Sequence, residues 1–228
     1  MVAVDTLDQH ILSLTRYAGR MSDESAAPGR PYHHGDLRRT LLAAAATAIG
    51  ESGPAGLSLR DLARRAGVSH AAPAHHFGDK AGLLTAFATE GFEMLADTLT
   101  RIHQESGGDL LELGVGYVMF AVRYRAHFEV MFRPELFHRD DSGLVAAQQR
   151  ARGALRAGVA GLPGSPAGPQ AAESELAAWS IVHGFATLWL GGALRVDQIG
   201  TDPEAAARRV IRRLFAVPAD PPPLRGQG

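Results

Sequence analysis

Ten histidines and 24 carboxylates are spread along the 228 residues, enough side chains for metal binding or acid–base work. Their spacing supplies neither. No His-Glu-x-x-His occurs, and the adjacent pairs His33-His34 and His75-His76 point in different directions on a helix. The nearest approach to a nucleophile elbow, Gly50-Glu51-Ser52-Gly53-Pro54, lacks the final glycine. There is no glycine-rich phosphate loop ending in Lys-Ser/Thr. The absence of cysteine removes thiol nucleophiles, thiolate metal sites and disulfides. The sequence therefore predicts no catalytic residue, no metal and no cofactor. A helical metal-dependent or hydrolytic enzyme is the alternative reading, and a helical adaptor that binds only protein is a third.

The segment that carries chemistry of another kind is Ser58–Lys80, SLRDLARRAGVSHAAPAHHFGDK. Ser58-Leu59-Arg60-Asp61 reads as a variant capping box opening a short helix from Leu59 to about Ala66. Gly67 stops it, and Ser69 caps a second short helix running to His76 or Phe77. Asp79 then caps a much longer one. Two short helices joined by Ala-Gly-Val-Ser form a helix-turn-helix, with Leu62, Ala63 and Val68 available to pack them together. The second helix of such a unit enters the DNA major groove. Charge distribution agrees. Residues 30–80 hold seven basic residues (Arg30, Arg38, Arg39, Arg60, Arg64, Arg65, Lys80) against four acids (Asp36, Glu51, Asp61, Asp79). That is a net +3 in a chain of net charge −1, so the remainder carries −4.

The run from Tyr32 to about Ala86 resembles the DNA-binding domain of TetR/AcrR-type transcriptional regulators. Ser58, Arg60, Leu62-Ala63, Ala66-Gly67-Val68-Ser69, His76-Phe77, Lys80 and Leu83-Leu84 follow the family string in order, and Tyr32-His33-His34-Gly35-Asp36-Leu37-Arg38 is similar to the opening of a subset. Trp179-x-x-x-His183-Gly184 resembles a Trp…His-Gly signature in the C-terminal domain of one subgroup. The resemblance implies a homodimeric, ligand-responsive repressor that binds a palindromic double-stranded DNA operator. A small molecule in the helical body would move the helix from Lys80 to about Gln104 and release the DNA. The effector, operator and regulated genes do not follow.

One departure affects the recognition helix. Ala74 stands where the family usually has a tyrosine that touches phosphate, and Pro73 is expected to remove one helical hydrogen bond. Base reading then leans on His70 and His75, with Ala71 or Ala74 able to meet thymine methyls. The candidate DNA contacts are Arg38, Thr40, Ser58, Arg60, Ser69, His70, Ala71, Ala74, His75 and Lys80, with Ser58, Ser69 and Lys80 at phosphates. His76 and Phe77 read as packing residues, and Arg64 and Arg65 read largely as a solvated face.

These side chains need a scaffold, and the periodicity supplies helices only. Leu37, Leu41, Ala44, Ala45, Ala48 and Ile49 form one stripe, and further helical patterns cover roughly 109–133, 142–160, 170–190 and 203–216. Asp202-Pro203 gives the last helix a cap and a first-turn proline. The expected class is all-α: a disordered arm over 1–31, a three-helix helix-turn-helix domain over 32–80, a larger helical ligand-binding and dimerisation domain over 81–216, and a disordered tail over 217–228. Met1–Arg20 lacks a long apolar segment and a small-residue cleavage site, so a cytoplasmic location is expected. Leu176–Leu194 approaches the length of a membrane span, but Gly191-Gly192 breaks it and a buried oligomer interface explains it better.

The aromatic and Met side chains between residues 117 and 137 suit an apolar pocket. Tyr117, Phe120, Arg123, Tyr124, His127 and Phe137 are its candidate lining, although Phe120, like Phe128 and Met131, reads better as plain core, and Arg123, Tyr124 and His127 are the better pocket candidates. Trp179, Val182, His183, Ala186 and Leu190, with Val210 and Leu214 on the last helix, are the candidate four-helix interface with a second copy.

Overall fold

Aspartates begin several of the longer helices. In the computed structural model, which describes residues 34–161 and 168–215, Asp79, Asp109 and Asp141 each accept a hydrogen bond from a first-turn N–H, at 2.7, 2.8 and 2.9 Å. An anion there also meets the positive end of the helix. Asp79 opens α4 (Lys80–Ser106), Asp109 opens α5 (Leu110–Arg123) and Asp141 opens α7 (Ser142–Ala160). Ahead of them lie α1 (His34–Ser52), α2 (Leu59–Arg65) and α3 (Ala72–Phe77). α6 (Arg125–Met131) and a 3-10 turn (Pro134–Leu136) precede α7; α8 (Pro169–Leu190), α9 (Val196–Ile199) and α10 (Pro203–Phe215) follow it. Asp202 caps α10 through the N–H groups of Glu204 and Ala205. The described residues hold no strand, as the periodicity predicts. The arm over 1–31 and the tail over 217–228 lie outside the described residues.

α4 is the axis of the body. Phe87, Leu83, Leu84 and Leu95 are buried along it, and α5, α6 and α7 all pack on it. α10 and α8 close over α5 from the other side, with Ile211, Ala206 and Ala207 buried.

Three local expectations change. The helix expected over 109–133 breaks at Tyr124 (φ −113°, ψ 45°), and the turn lets α6 bury His127, Phe128, Val130 and Met131. Ser58 is the N-cap of α2 but its side chain makes no cap bond; the Asp61 carboxylate is instead engaged by Arg64 and Arg65, its partners three and four residues on. The second helix of the motif starts at Ala72 rather than next to Ser69, whose carbonyl accepts the Ala72 N–H at 3.0 Å in a turn.

Candidate nucleic-acid interface and internal cavity

Gly67 adopts φ 65°, a left-handed conformation that glycine takes without strain. Around it the N–H of Val68 donates to the carbonyl of Ala63 at 3.0 Å, and that of Gly67 to Arg64 at 3.3 Å. These are the two bonds of a Schellman turn, and they satisfy carbonyls that the end of α2 would leave open. With Leu62 and Ala63 fully buried, the turn fixes the angle between α2 and α3. Pro73 is the second residue of α3 and is buried. Its missing N–H falls among first-turn donors that no helix satisfies internally, so it costs no helical bond, contrary to expectation. The exit from α3 is equally tight. A β-carbon on Gly82 would lie 1.9 Å from the Phe77 carbonyl oxygen, so only glycine fits where α4 folds back under α3.

Ser58, Arg60, Ser69, His70, Ala71, Ala74 and His75 are all exposed on this module, as are Arg38 and Thr40 on α1. The Arg38 guanidinium lies 5.9 Å over the Phe77 ring and ties α1 to the end of α3. Arg64 and Arg65 are engaged within the protein. Both bind Asp61, at 2.6 and 2.5 Å, and Arg65 also binds Glu51 at 2.8 Å. The hydrogen bonds from Arg65 and then Arg64 hold the Asp61 carboxyl below its ordinary value. Arg60 makes no ion pair among the described residues. Lys80 is half-buried, and its ammonium donates to the Ala55 carbonyl at 2.9 Å, so one of its three donors serves the loop between α1 and α2.

A cavity of about 480 Å3 opens in the helical body, within the size range of small-molecule sites. Phe92 and Leu95 of α4, Tyr117 of α5, and Phe132 and Phe137 beyond it form its walls; α7 and α8 close it with Ala151, Leu155 and Trp179. The Tyr117 hydroxyl donates to Nδ1 of His183 (2.9 Å) and accepts from the indole N–H of Trp179 (3.3 Å). Burial pushes the Tyr117 hydroxyl well above the ordinary phenol range and keeps it protonated. Burial also lowers His183, which favours the neutral imidazole, the form that can accept at Nδ1. The polar atoms of Tyr117 and Trp179, the two aromatic hydrogen-bonding groups of the lining, are thus both engaged within the protein.

Comparison with known proteins fits both halves. Residues 41–87 match the family model "Bacterial regulatory proteins, tetR family", and residues 110–214 match "Tetracyclin repressor-like, C-terminal domain". The chain belongs to the TetR family. A protein of unknown function from Rhodococcus sp. has a solved structure 34% identical to this chain, with a TM-score of 0.67, covering 82% of this chain and 97% of that one. The TetR-family transcriptional regulator PfmR of Thermus thermophilus shares the fold at 21% identity, TM-score 0.61, over 78% of this chain and 95% of that one. The HTH-type transcriptional repressor Rv3405c of Mycobacterium tuberculosis is 36% identical over 78 residues, 34% of this chain. That match spans only 39% of the repressor's own length. The family is one of regulatory proteins, which sets aside the enzyme reading.

In this TetR-family chain the cavity takes two of the six residues read as ligand contacts, Tyr117 and Phe137. Phe120 is core. Arg123 is exposed and lies 5.5 Å over the ring of its neighbour Tyr124, and neither lines the cavity. His127 is buried elsewhere, stacked on Phe87 at 4.0 Å with Nε2 3.0 Å from Glu90.

The interface stripe also turns inward. Trp179 is a cavity wall, His183 binds Tyr117, and Val182 and Ala186 are buried within the protomer. Leu190 and Val210 are half-buried against the same core, and the Leu214 side chain lies outside the described ones. The outward face of α8 carries Ala177, Ser180, Thr187 and Leu188 instead, with Leu188 48% exposed, while Leu176, 58% exposed, also lines the cavity. α8 is apolar on nearly every side, so apolar spacing selects no face. Gln148, Arg152 and Leu155 of α7 are among the cavity residues the sequence reading missed, as are Phe92 and Leu95 of α4 and Glu175 of α8. The signal on α7 was the four-residue spacing of Gln148 and Arg152 beside the buried Ala147 and Ala151. No helix among the described residues is long and apolar enough to cross a membrane.

Proposed function

We propose that this chain is a ligand-responsive transcriptional repressor that binds a palindromic operator in duplex DNA as a homodimer and releases it when a small molecule enters the cavity. The observation that carries this reading is the continuity of α4. It begins at Lys80, directly after the recognition helix ends at Phe77, and runs on to supply Phe92 and Leu95 to the cavity wall. A ligand that prefers one placement of α4 therefore also prefers one placement of α3, and its differential affinity sets how far the equilibrium moves.

In this reading α3 lies in the major groove, with His70 and His75 toward base edges and Ala71 and Ala74 toward thymine methyls. Ser58, Ser69, Arg60, Arg38, Thr40 and Lys80 hold the sugar–phosphate backbone. The DNA-binding domain spans 32–80 and the ligand-binding and dimerisation domain 81–216. The outward face of α8, with α10, meets a second copy across a two-fold axis, which sets the spacing of the operator half-sites. We read Trp179, His183 and Gly184 as the signature of that subgroup, and in this chain Trp179 and His183 both bond to Tyr117. A DNA partner implies the cytoplasm.

The test is a titration of the full chain against the duplex immediately upstream of its own coding region, at two salt concentrations. Tight, sequence-preferring binding with a steep salt slope is expected, because each neutralised phosphate releases counterions. Weak binding equal to that of random duplex would overturn the reading at this operator.

A further inference from the structure

Three arginines lie on α7, and two of them are paired. Arg150 donates to Asp97 of α4 at 2.7 Å, and Arg156 to Glu175 of α8 at 3.0 Å. The third, Arg152, makes no ion pair or hydrogen bond among the described residues, and it is the one that lines the cavity. Gln148, one helical turn earlier, lines it too, so a guanidinium and an amide stand side by side on one helix face. Glu175 is the sole carboxylate in the lining, and Arg156 balances its charge. The remaining lining is apolar except for Tyr117 and Trp179, whose polar atoms are bonded to each other. The cavity therefore presents one uncompensated positive charge, no uncompensated negative charge, and an aromatic and aliphatic interior.

We propose that the effector is an amphipathic monocarboxylate, a reading that rests on the cavity being the effector site. The carboxylate takes the parallel N–H groups of Arg152, the geometry for which guanidinium is suited, and Gln148 adds a further donor. The apolar body lies among Phe92, Leu95, Phe132 and Trp179, where its removal from water supplies the bulk of the affinity. A cationic head meets the Arg152 charge and is repelled. A neutral alcohol keeps the apolar contacts but loses the charge-assisted bonds.

Isothermal titration of the full chain with decanoate, decanol and decylamine tests this. Decanoate is expected to bind at least about tenfold more tightly than either analogue, the ratio that charged hydrogen bonds of ordinary strength provide. Arg152→Gln, at an exposed position, should erase that preference by weakening decanoate binding to the level of decanol. Leu155→Trp and, separately, Ala172→Trp should weaken all ligands by narrowing the cavity. No decanoate binding, equal affinity for decanoate and decanol, or an undiminished preference in Arg152→Gln would each overturn the monocarboxylate assignment. Undiminished binding of every ligand in both tryptophan variants would overturn the cavity reading itself.

Discussion

The backbone N–H of His138 donates to Oγ1 of Thr85 at 3.0 Å and so joins the segment that closes the cavity to the first turns of α4. Thr85 Oγ1 in turn donates to the Ala81 carbonyl at 2.8 Å. The His138 imidazole lies 3.7 Å from the Asp79 carboxylate that caps α4. Because Phe137 is a cavity wall, displacing it would, in the proposed mechanism, pull on the start of the helix that follows the recognition helix.

Thr85→Val keeps the shape of the buried side chain and removes the acceptor. The stranded His138 N–H should cost about 1–3 kcal/mol, read by denaturant unfolding. The loss of DNA affinity on adding a cavity ligand should shrink more than the affinity itself. An unchanged ligand response would disconnect this bond from the coupling.

Gly82→Ala should destabilise by about 1–3 kcal/mol or more, as expected when a tight contact is overpacked against backbone. The damage falls on the α3–α4 junction, so DNA binding should be lost while the helical content of the body, followed by circular dichroism, is retained. Wild-type DNA affinity would contradict the contact with the Phe77 carbonyl.

Arg60 and Arg64 differ in what they already hold. Arg60→Ala should weaken binding to all duplexes and lower the salt slope by about 1. Arg64→Ala removes an exposed pair with Asp61, which solvent screens, and should leave the slope closer to wild type. Titrations at several salt concentrations separate the two.

Leu188→Glu places a charge on the outward face of α8, where two-fold symmetry would bury it twice, and should give monomers by sedimentation at micromolar concentration. Trp179→Ala, which enlarges the cavity, should leave the sedimentation profile unchanged and abolish the indole bond to Tyr117. Dissociation by Trp179→Ala with none by Leu188→Glu would reverse the assignment of faces.

His183 gives a pH dependence. Its folded value lies below the ordinary 6.5, so between the two values the unfolded chain binds more protons. Stability is full above about pH 6.5 and falls as the pH drops toward the folded value. The melting temperature should therefore decline from about pH 7 to pH 5.5, and less steeply in His183→Gln, whose side-chain carbonyl still accepts from Tyr117.

The helices and the DNA-binding module were legible because their signals are local: aspartate caps, Gly67 at the turn, and an ordered string of matching residues. The cavity depends on which side of α8 faces inward, and a helix apolar all round carries no such information. Trp179 was read as an interface residue for that reason. The break at Tyr124 has neither glycine nor proline beside it, so the redirected α6, with His127 turned onto Glu90, left no mark in the sequence. Arg152 stood out only once its two neighbours on α7 were seen to be paired.

Lys80 is the only lysine in the 228 residues, and its ammonium holds the Ala55 carbonyl. Apart from an α-amino group, an amine-directed acylating reagent therefore has a single target among these residues, where the loop between α1 and α2 meets the start of α4. Acylation removes the charge and severs that contact. The change in DNA affinity that follows acylation reads what this one ammonium contributes at the junction.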